Sequence, residues 1–374
     1  MTRTTDPIPL LERLIRVDTH NPGGDELALS ALLAEELHAR APDDVAVVEV
    51  PRASGTRGAY VYARWGQPDL LVNAHIDTVP VNAGWTGNPF EPRRADGRLY
   101  GLGACDTKGA IASILTALDA VKPKNVGVLF SGDEELSSTC IAAFLASPYA
   151  KGLARAIVCE PTSVRVGVRH RGILGLKLTL RGEGGHSSRA DTMRAPLAEL
   201  CRVAVAWDDW GKAQRGRGPK GFTGMCTNIA GLEGGVAFNV VPERATLTAS
   251  FRPPPGTDVN AVGSELVAIA KEICPDATSD AVLGRPAFAT QALAAFPPTI
   301  GARSEAPVDL AFWTEAAQLT QAGIDAVVFG PGDIAQAHAP DEWVLESDLI
   351  AARDAFVHVF QHTVTGGAGG ARRG

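Results

Sequence analysis

Residues 126–136 read V-G-V-L-F-S-G-D-E-E-L, an apolar strand running straight into the acids Asp133, Glu134 and Glu135. A short, continuous apolar run bounded by a turn signal fits a strand buried on both faces of a sheet. Adjacent carboxylates repel and resist burial unless something positive sits among them. The same pattern recurs along the chain. DLLVNA runs into His75, RAIVC into Glu160, and DAVVF through a Gly-Pro-Gly loop to His338. Two further strand-like segments, VAVVEV and YVYARW, precede them. Helices are expected over residues 7–17, 26–39, 108–121, 139–146, 308–323 and 346–362. Short apolar strands alternating with helices predict an α/β fold, a central mixed sheet sandwiched by helices.

The middle of the chain has a different rhythm. Between 168 and 274, alternating strands (ILGLKLTL, ATLTASFR) combine with helical stretches near 195–207 and 259–273. This β-α-β-β-α-β-like order predicts an inserted α+β, ferredoxin-like domain over 169–279, with 1–168 and 280–374 forming the main domain. WDDWGKAQRGRGPKGF (207–222) reads as a polar surface loop, and the tail TGGAGGARRG (365–374) as disordered.

At 374 residues, two domains are expected rather than one. Apolar content of 45% and a mean hydropathy near zero describe an ordinary soluble globular chain. A net charge of -7 leaves no basic footprint for nucleic acid and no cationic patch for a membrane surface. No apolar run reaches the ~20 residues that span a bilayer, and Glu12 and Arg13 interrupt any leader-like segment. The six cysteines lack C-x-x-C spacing, so reduced thiols in a cytoplasmic enzyme are expected.

In open α/β sheets, ligands collect at the carboxyl ends of strands. Here His75, Asp77, the acids 133–135, Glu160 and His338 follow strand ends, and Asp106 sits in a Gly-rich loop opening a helix. Two imidazoles with three carboxylates suit two borderline divalent ions, one carboxylate bridging. Such a pair can lower the pKa of a shared water toward ~7. A spare carboxylate beside it serves as general base, then as acid to a leaving amine. Glu134 and Glu135 supply one base and one ligand, and Asp77 can accept the second ring N–H of His75. Competing signatures are missing: Asp106 stands where a dinucleotide loop needs its third glycine, and no G-K-[ST], G-x-S-x-G or H-E-x-x-H occurs.

NAHIDTVP, GLGACDTKGAIA, SGDEE, CEPT and AHAPDE resemble, in order and spacing, the signatures of the dinuclear-zinc M20 peptidase and deacylase family. The resemblance implies a zinc-exopeptidase-like main domain. It places His75 and Glu160 on one metal, Glu135 and His338 on the other, Asp106 between them, Glu134 as base and Asp77 as orienter of His75. It implies two Zn (or Co) ions per subunit and a cis peptide after Asp106. RGEGGHSS and FNVVPERATLTASFRP resemble the family's lid strands, which implies that His186, Asn239 and Arg252 bind substrate and that the inserted domain forms a homodimer. RHRGI and the stretch from Val308 to Glu342 are most similar to the acetylornithine and acetylcitrulline deacetylase branch, with Trp313, Thr314 and Glu315 as candidates for the side-chain pocket. The implied activity is removal of the acetyl group from an N²-acetylated amino acid of arginine biosynthesis, acetylornithine first. Desuccinylases, aminoacylases and dipeptidases of the family are alternatives. A Ser-nucleophile hydrolase and a metal-binding relative without catalysis are the readings from other classes. Asp133 is left without a role.

Overall fold

The computed structural model describes residues 4–52, 55–297, 300 and 306–365. In chain order the principal elements are α1 (Ile8–Ile15), α2 (Glu26–His38), β1 (Asp44–Pro51), β2 (Arg57–Trp65), β3 (Leu70–His75), α3 (Lys108–Ala120), β4 (Val126–Ser131), α4 (Thr139–Leu145), β5 (Arg155–Cys159) and β6 (Gly167–His170). There follow β7 (Ile173–Arg181), α5 (Pro196–Ala213), β8 (Cys226–Gly234), β9 (Arg244–Arg252), α6 (Val259–Ile273) and β10 (Thr278–Arg285). The chain closes with α7 (Ala316–Gln321), β11 (Asp325–Val328) and α8 (Glu346–Thr365).

Two compact units result: Met1–Val168 with Thr290–Val308 and Thr314–Gly374, and Arg169–Ala289 with Asp309–Trp313. The first is built on a mixed sheet in which β1-β2-β4-β3-β5-β11 are successive neighbours, with β6 beyond β11. Every residue of β3 and β4 is buried, which is why those strands are apolar on both faces. β3 pairs in parallel with β4 and with β5, in a register that sets His75 opposite Ser131 and Ala74 opposite Cys159. β11 extends the parallel set along β5. Three neighbouring strands therefore end level, and the residues that follow them emerge at one edge. The Ala/Ile/Leu-rich α3 is buried along almost its whole length and packs against α8, where Ser113 Oγ reaches the carbonyl of Leu349 at 3.1 Å.

The second unit is a four-stranded antiparallel sheet, β8-β9-β7-β10, with α5 and α6 packed on it. Its strands alternate as half-buried strands should: Leu174, Leu176, Leu178 and Leu180 of β7 turn inward with Ala245, Leu247, Ala249 and Phe251 of β9. β10 belongs to this sheet, so the unit runs past 279, the expected return point, as far as Ala289.

Two local expectations are corrected. The expected loop 207–222 is helical through Ala213, because Trp207 is fully buried, packs edge-on against Phe251 and donates its indole N–H to the carbonyl of Leu266 at 2.8 Å. The expected helix over 308–323 is helical only from Ala316 to Gln321. Val308 N–H instead bonds to the carbonyl of Val166 at 2.8 Å, and Asp309–Trp313 belong to the second unit, where Asp309 pairs with Arg169 at 2.6 Å. The Gly-rich tail from 366 onward lies outside the described residues.

Candidate metal centre

The level strand ends bring five residues from distant parts of the chain together. Asp106 is at the middle. Its Oδ1 lies 2.9 Å from His75 Nε2 and its Oδ2 3.3 Å from His338 Nε2, which is itself 2.8 Å from Glu135 Oε1. Ligand-type atoms of His75, Asp106 and Glu160 lie within 4.8 Å of one another, and so do those of Asp106, Glu135 and His338. The two triplets share Asp106. A third, His75 with Glu134 and Glu135, satisfies the same limit and places Glu134 beside the pair. The first triplet is buried throughout, whereas the His338 side chain is 48% exposed.

The electrostatics show what such a cluster lacks. Burial, aided by the charge of Asp106, pushes the Glu160 carboxyl well above its usual range. Burial likewise raises Glu134, with Glu135, Glu315 and Asp77 adding to it and His75 opposing. His338 is pushed up to about 10 by its hydrogen bonds to Asp106 and Glu135. For His75, burial would lower the imidazole, but Asp106 together with the charges of Glu160 and Asp77 outweighs it and the pKa rises. These directions mark a surplus of buried negative charge, which a bound cation would offset. Two imidazoles and three carboxylates, with no thiolate among them, fit two borderline divalent ions.

The surrounding groups hold the clustered residues largely by main-chain contacts. His75 Nδ1 lies 2.9 Å from the backbone carbonyl of Asp77, while the nearest Asp77 carboxylate oxygen is at 3.7 Å. The ring is therefore held by the main chain of Asp77, and the expected carboxylate contact is corrected. The Asp77 carboxylate is used elsewhere: it accepts the N–H groups of Glu134 and Glu135 at 3.0 and 3.1 Å and the side-chain amide of Asn21 at 2.7 Å. Thr107 Oγ1 donates to the carbonyl of His75 at 2.7 Å, and the Asp106–Thr107 peptide is cis.

Asp133 acquires a role. Fully buried and in the left-handed region (φ 67°), it accepts from Ser137 Oγ at 2.5 Å, Thr139 N–H at 3.0 Å and the Thr139 hydroxyl. It thereby closes the turn between Glu135 and α4. Arg52 lies 3.2 Å from Asp133 and is also ion-paired with the buried Glu26. Sequence reasoning missed Arg52, Glu26, Asn21 and Glu342, and it placed Glu315 elsewhere. Glu315 is buried beneath the centre, accepting from Asn73 at 2.6 Å and Ser131 at 2.7 Å, and burial pushes its carboxyl up to about 7. That position corrects its expected place in a side-chain pocket. Trp313 belongs to the second unit and donates to the carbonyl of Pro286 at 2.9 Å.

His186 and Asn239 also lie in the second unit. A short bridge pairs His186 with Val240, and Ser187 N–H bonds to the Asn239 carbonyl at 3.0 Å, so these two predicted residues meet there. The His186 ring is exposed, its Nδ1 2.8 Å from Ser188 Oγ. Arg252 ends β9.

A parallel-centred α/β unit with paired His and carboxylate sites at its strand ends defines a metallohydrolase. The chain belongs to peptidase family M20/M25/M40, whose family model matches residues 71–362. It is 34% identical over 359 residues to the N-acetyl-L-citrulline deacetylase of Xanthomonas campestris pv. campestris, covering 91% of this chain and 93% of that protein. It is 32% identical over 319 residues to the acetylornithine deacetylase of Myxococcus xanthus, covering 79% and 80%. Among solved structures it is similar to an M20 metallo-carboxypeptidase from Sulfolobus solfataricus (TM-score 0.77, 18% identity, 95% and 99% covered). It is also similar to a dinuclear metal-binding M20 peptidase from Bacillus subtilis (TM-score 0.66, 16% identity, 95% and 97% covered). No helix among the described residues is long and apolar enough to cross a membrane.

Proposed function

We propose that this chain is a metal-dependent amidohydrolase that removes the acetyl group from an N²-acetylated amino acid, acetylornithine first. The observation that carries the reading is the position of Asp106, with one carboxylate oxygen toward His75 and the other toward His338. The two deacetylases at 34% and 32% identity support the substrate class, and the fuller match to the citrulline enzyme favours acetylcitrulline as the second reading.

In this reading His75 and Glu160 would hold one Zn (or Co) ion and Glu135 and His338 the other, with Asp106 offering an oxygen to each. When bound, the ions polarise the amide carbonyl and lower the pKa of water toward ~7. Glu134 takes a proton from the attacking water. The water oxygen adds to the acetyl carbonyl carbon, the C–N bond breaks, and Glu134 delivers the proton to the departing α-amine as acetate leaves. Asp77 keeps both neighbours in place: its carbonyl fixes the His75 ring and its carboxylate fixes the main chain of Glu134 and Glu135. His186, Asn239 and Arg252 are assigned to substrate binding on their sequence motifs, His186 as an oxyanion donor and Arg252 as the partner of an α-carboxylate. A place in arginine biosynthesis and in the cytoplasm accompanies the substrate assignment.

The deciding experiment strips the protein of metal, reconstitutes it with Zn²⁺ or Co²⁺, and measures acetate and succinate release from acetylornithine, acetylcitrulline, succinyl-diaminopimelate and other N-acyl amino acids. Acetate release that depends on added metal is expected. Absence of turnover on every acylated amino acid by the metal-loaded protein would overturn the reading, and activity surviving exhaustive chelation would favour a serine hydrolase.

The second unit is also assigned a homodimer contact. Val236 and Phe238, 91% and 99% exposed, form an apolar tip next to Asn239, and a second copy is the proposed cover. Sedimentation velocity on the full chain should return twice the 39.1 kDa monomer mass. A concentration-independent monomer would remove the assignment.

A further inference from the structure

We propose that Glu342 is the positioning residue for the bridging carboxylate, setting Asp106 between two cation sites by gripping the main chain beneath it. The proposal rests on the assignment of Asp106 as the shared ligand. Glu342 is 2% exposed. Its Oε2 accepts the N–H of Gly103 at 2.9 Å, and its Oε1 accepts those of Cys105 and Asp106 at 2.8 and 3.0 Å. Its own carbonyl accepts the N–H of Gly101 at 3.0 Å. One residue thus satisfies four main-chain donors of a single turn, the last of them on Asp106 itself.

The turn depends on that grip. Gly103 is in the left-handed region (φ 81°), and a Cβ there would come within 2.8 Å of Thr78 and 3.0 Å of Lys108. The turn cannot become regular helix at this point, so its N–H groups need an outside acceptor. A carboxylate facing converging N–H groups provides one. Buried donors left without a partner would make the turn shift.

Asp106 tolerates little movement because both of its oxygens are committed, one toward His75 and one toward His338. Glu342 also follows His338 closely in sequence and shares its loop. The carboxylate therefore ties the loop of one ligand to the loop of another, 236 residues apart at the Asp106 contact. Glutamine at 342 keeps one oxygen for Cys105 and Asp106 but turns an NH₂ group toward the N–H of Gly103. Alanine accepts nothing.

The test uses the full chain as wild type, Glu342→Gln and Glu342→Ala, loaded with Co²⁺. Ion stoichiometry is measured against a chelator series, the visible absorption of bound Co²⁺ is recorded, and folding is monitored by circular dichroism. Wild type should hold two ions. Glu342→Gln, folded as wild type, should bind at least one of them about 10–100-fold more weakly with an altered Co²⁺ spectrum, and Glu342→Ala should lose more. A residue that merely stabilised the fold would lower the unfolding midpoint and leave the folded protein's ion affinities and spectrum unchanged. That outcome overturns the proposal. If Glu342→Ala does not fold, Glu342→Gln decides alone, and wild-type affinity counts against the proposal. If wild type takes up no Co²⁺, it is the metal assignment that fails.

Discussion

Replacing Glu134 with alanine should leave both bound ions in place and cut turnover by about 10²–10⁴-fold, the range that general acid–base catalysis contributes. The separation of the two effects follows from where each carboxylate sits. The two triplets joined by Asp106, one with His75 and Glu160 and the other with Glu135 and His338, are complete without Glu134, which enters only the third group, with His75 and Glu135. Glu134 keeps its backbone place through the Asp77 carboxylate, which accepts its N–H at 3.0 Å whatever side chain it carries. The variant should therefore match wild type in metal analysis while losing kcat, with KM nearly unchanged. Near-normal turnover would remove Glu134 as the base; loss of an ion would make it a ligand.

Arg52→Ala should destabilise the protein by about 3–5 kcal/mol, the usual cost of removing one partner from a buried ion pair. The Arg52 side chain is 8% exposed, and the carboxylates of Glu26 and Asp133 that it serves are 2% and 0% exposed. Glu26 is already raised by burial and by the charge of Asp77, with Asn21 and Arg52 opposing. Without Arg52 two buried acids face each other at the base of the turn that carries Glu134 and Glu135. Urea unfolding should show a lowered midpoint, and adding Glu26→Gln to the same chain should recover part of the loss, since it removes one of the stranded charges. A shift below about 0.5 kcal/mol, the range of ordinary surface substitutions, would mean that Arg52 does not neutralise this cluster.

What was legible in the sequence divides along physical lines. Most ligand-type residues were visible because they follow apolar runs that only a buried strand explains, and parallel strands in register must end together; Asp106 was visible instead from its Gly-rich loop at the start of a helix. The second unit's sheet was visible in part, through the alternation of β7 and β9. The extension of α5 was hidden because W-D-D-W-G-K-A is polar in composition, and only the contacts of Trp207 with Phe251 and Leu266 make it helix. Arg52 and Glu342 were hidden for another reason. Each is a charged residue in a loop-like context, and what buries it lies 26 residues away at Glu26 or 239 away at Gly103. No local pattern announces such a partner. The same holds for Asp77, whose carbonyl rather than carboxylate meets His75: a motif names the residue but not which of its atoms is used.

The second unit enters the chain after Glu160 and leaves it before His338. On a ribosome, where the chain emerges from its N-terminus, this fixes an order of arrival. The buried triplet of His75, Asp106 and Glu160 is fully synthesised before the second unit begins. The other triplet waits for His338, and the grip on Asp106 waits for Glu342, both made only after the whole of the second unit. The centre is thus completed only after the second unit has been made, and a chain ending before His338 would carry four of the five clustered residues and no closed site.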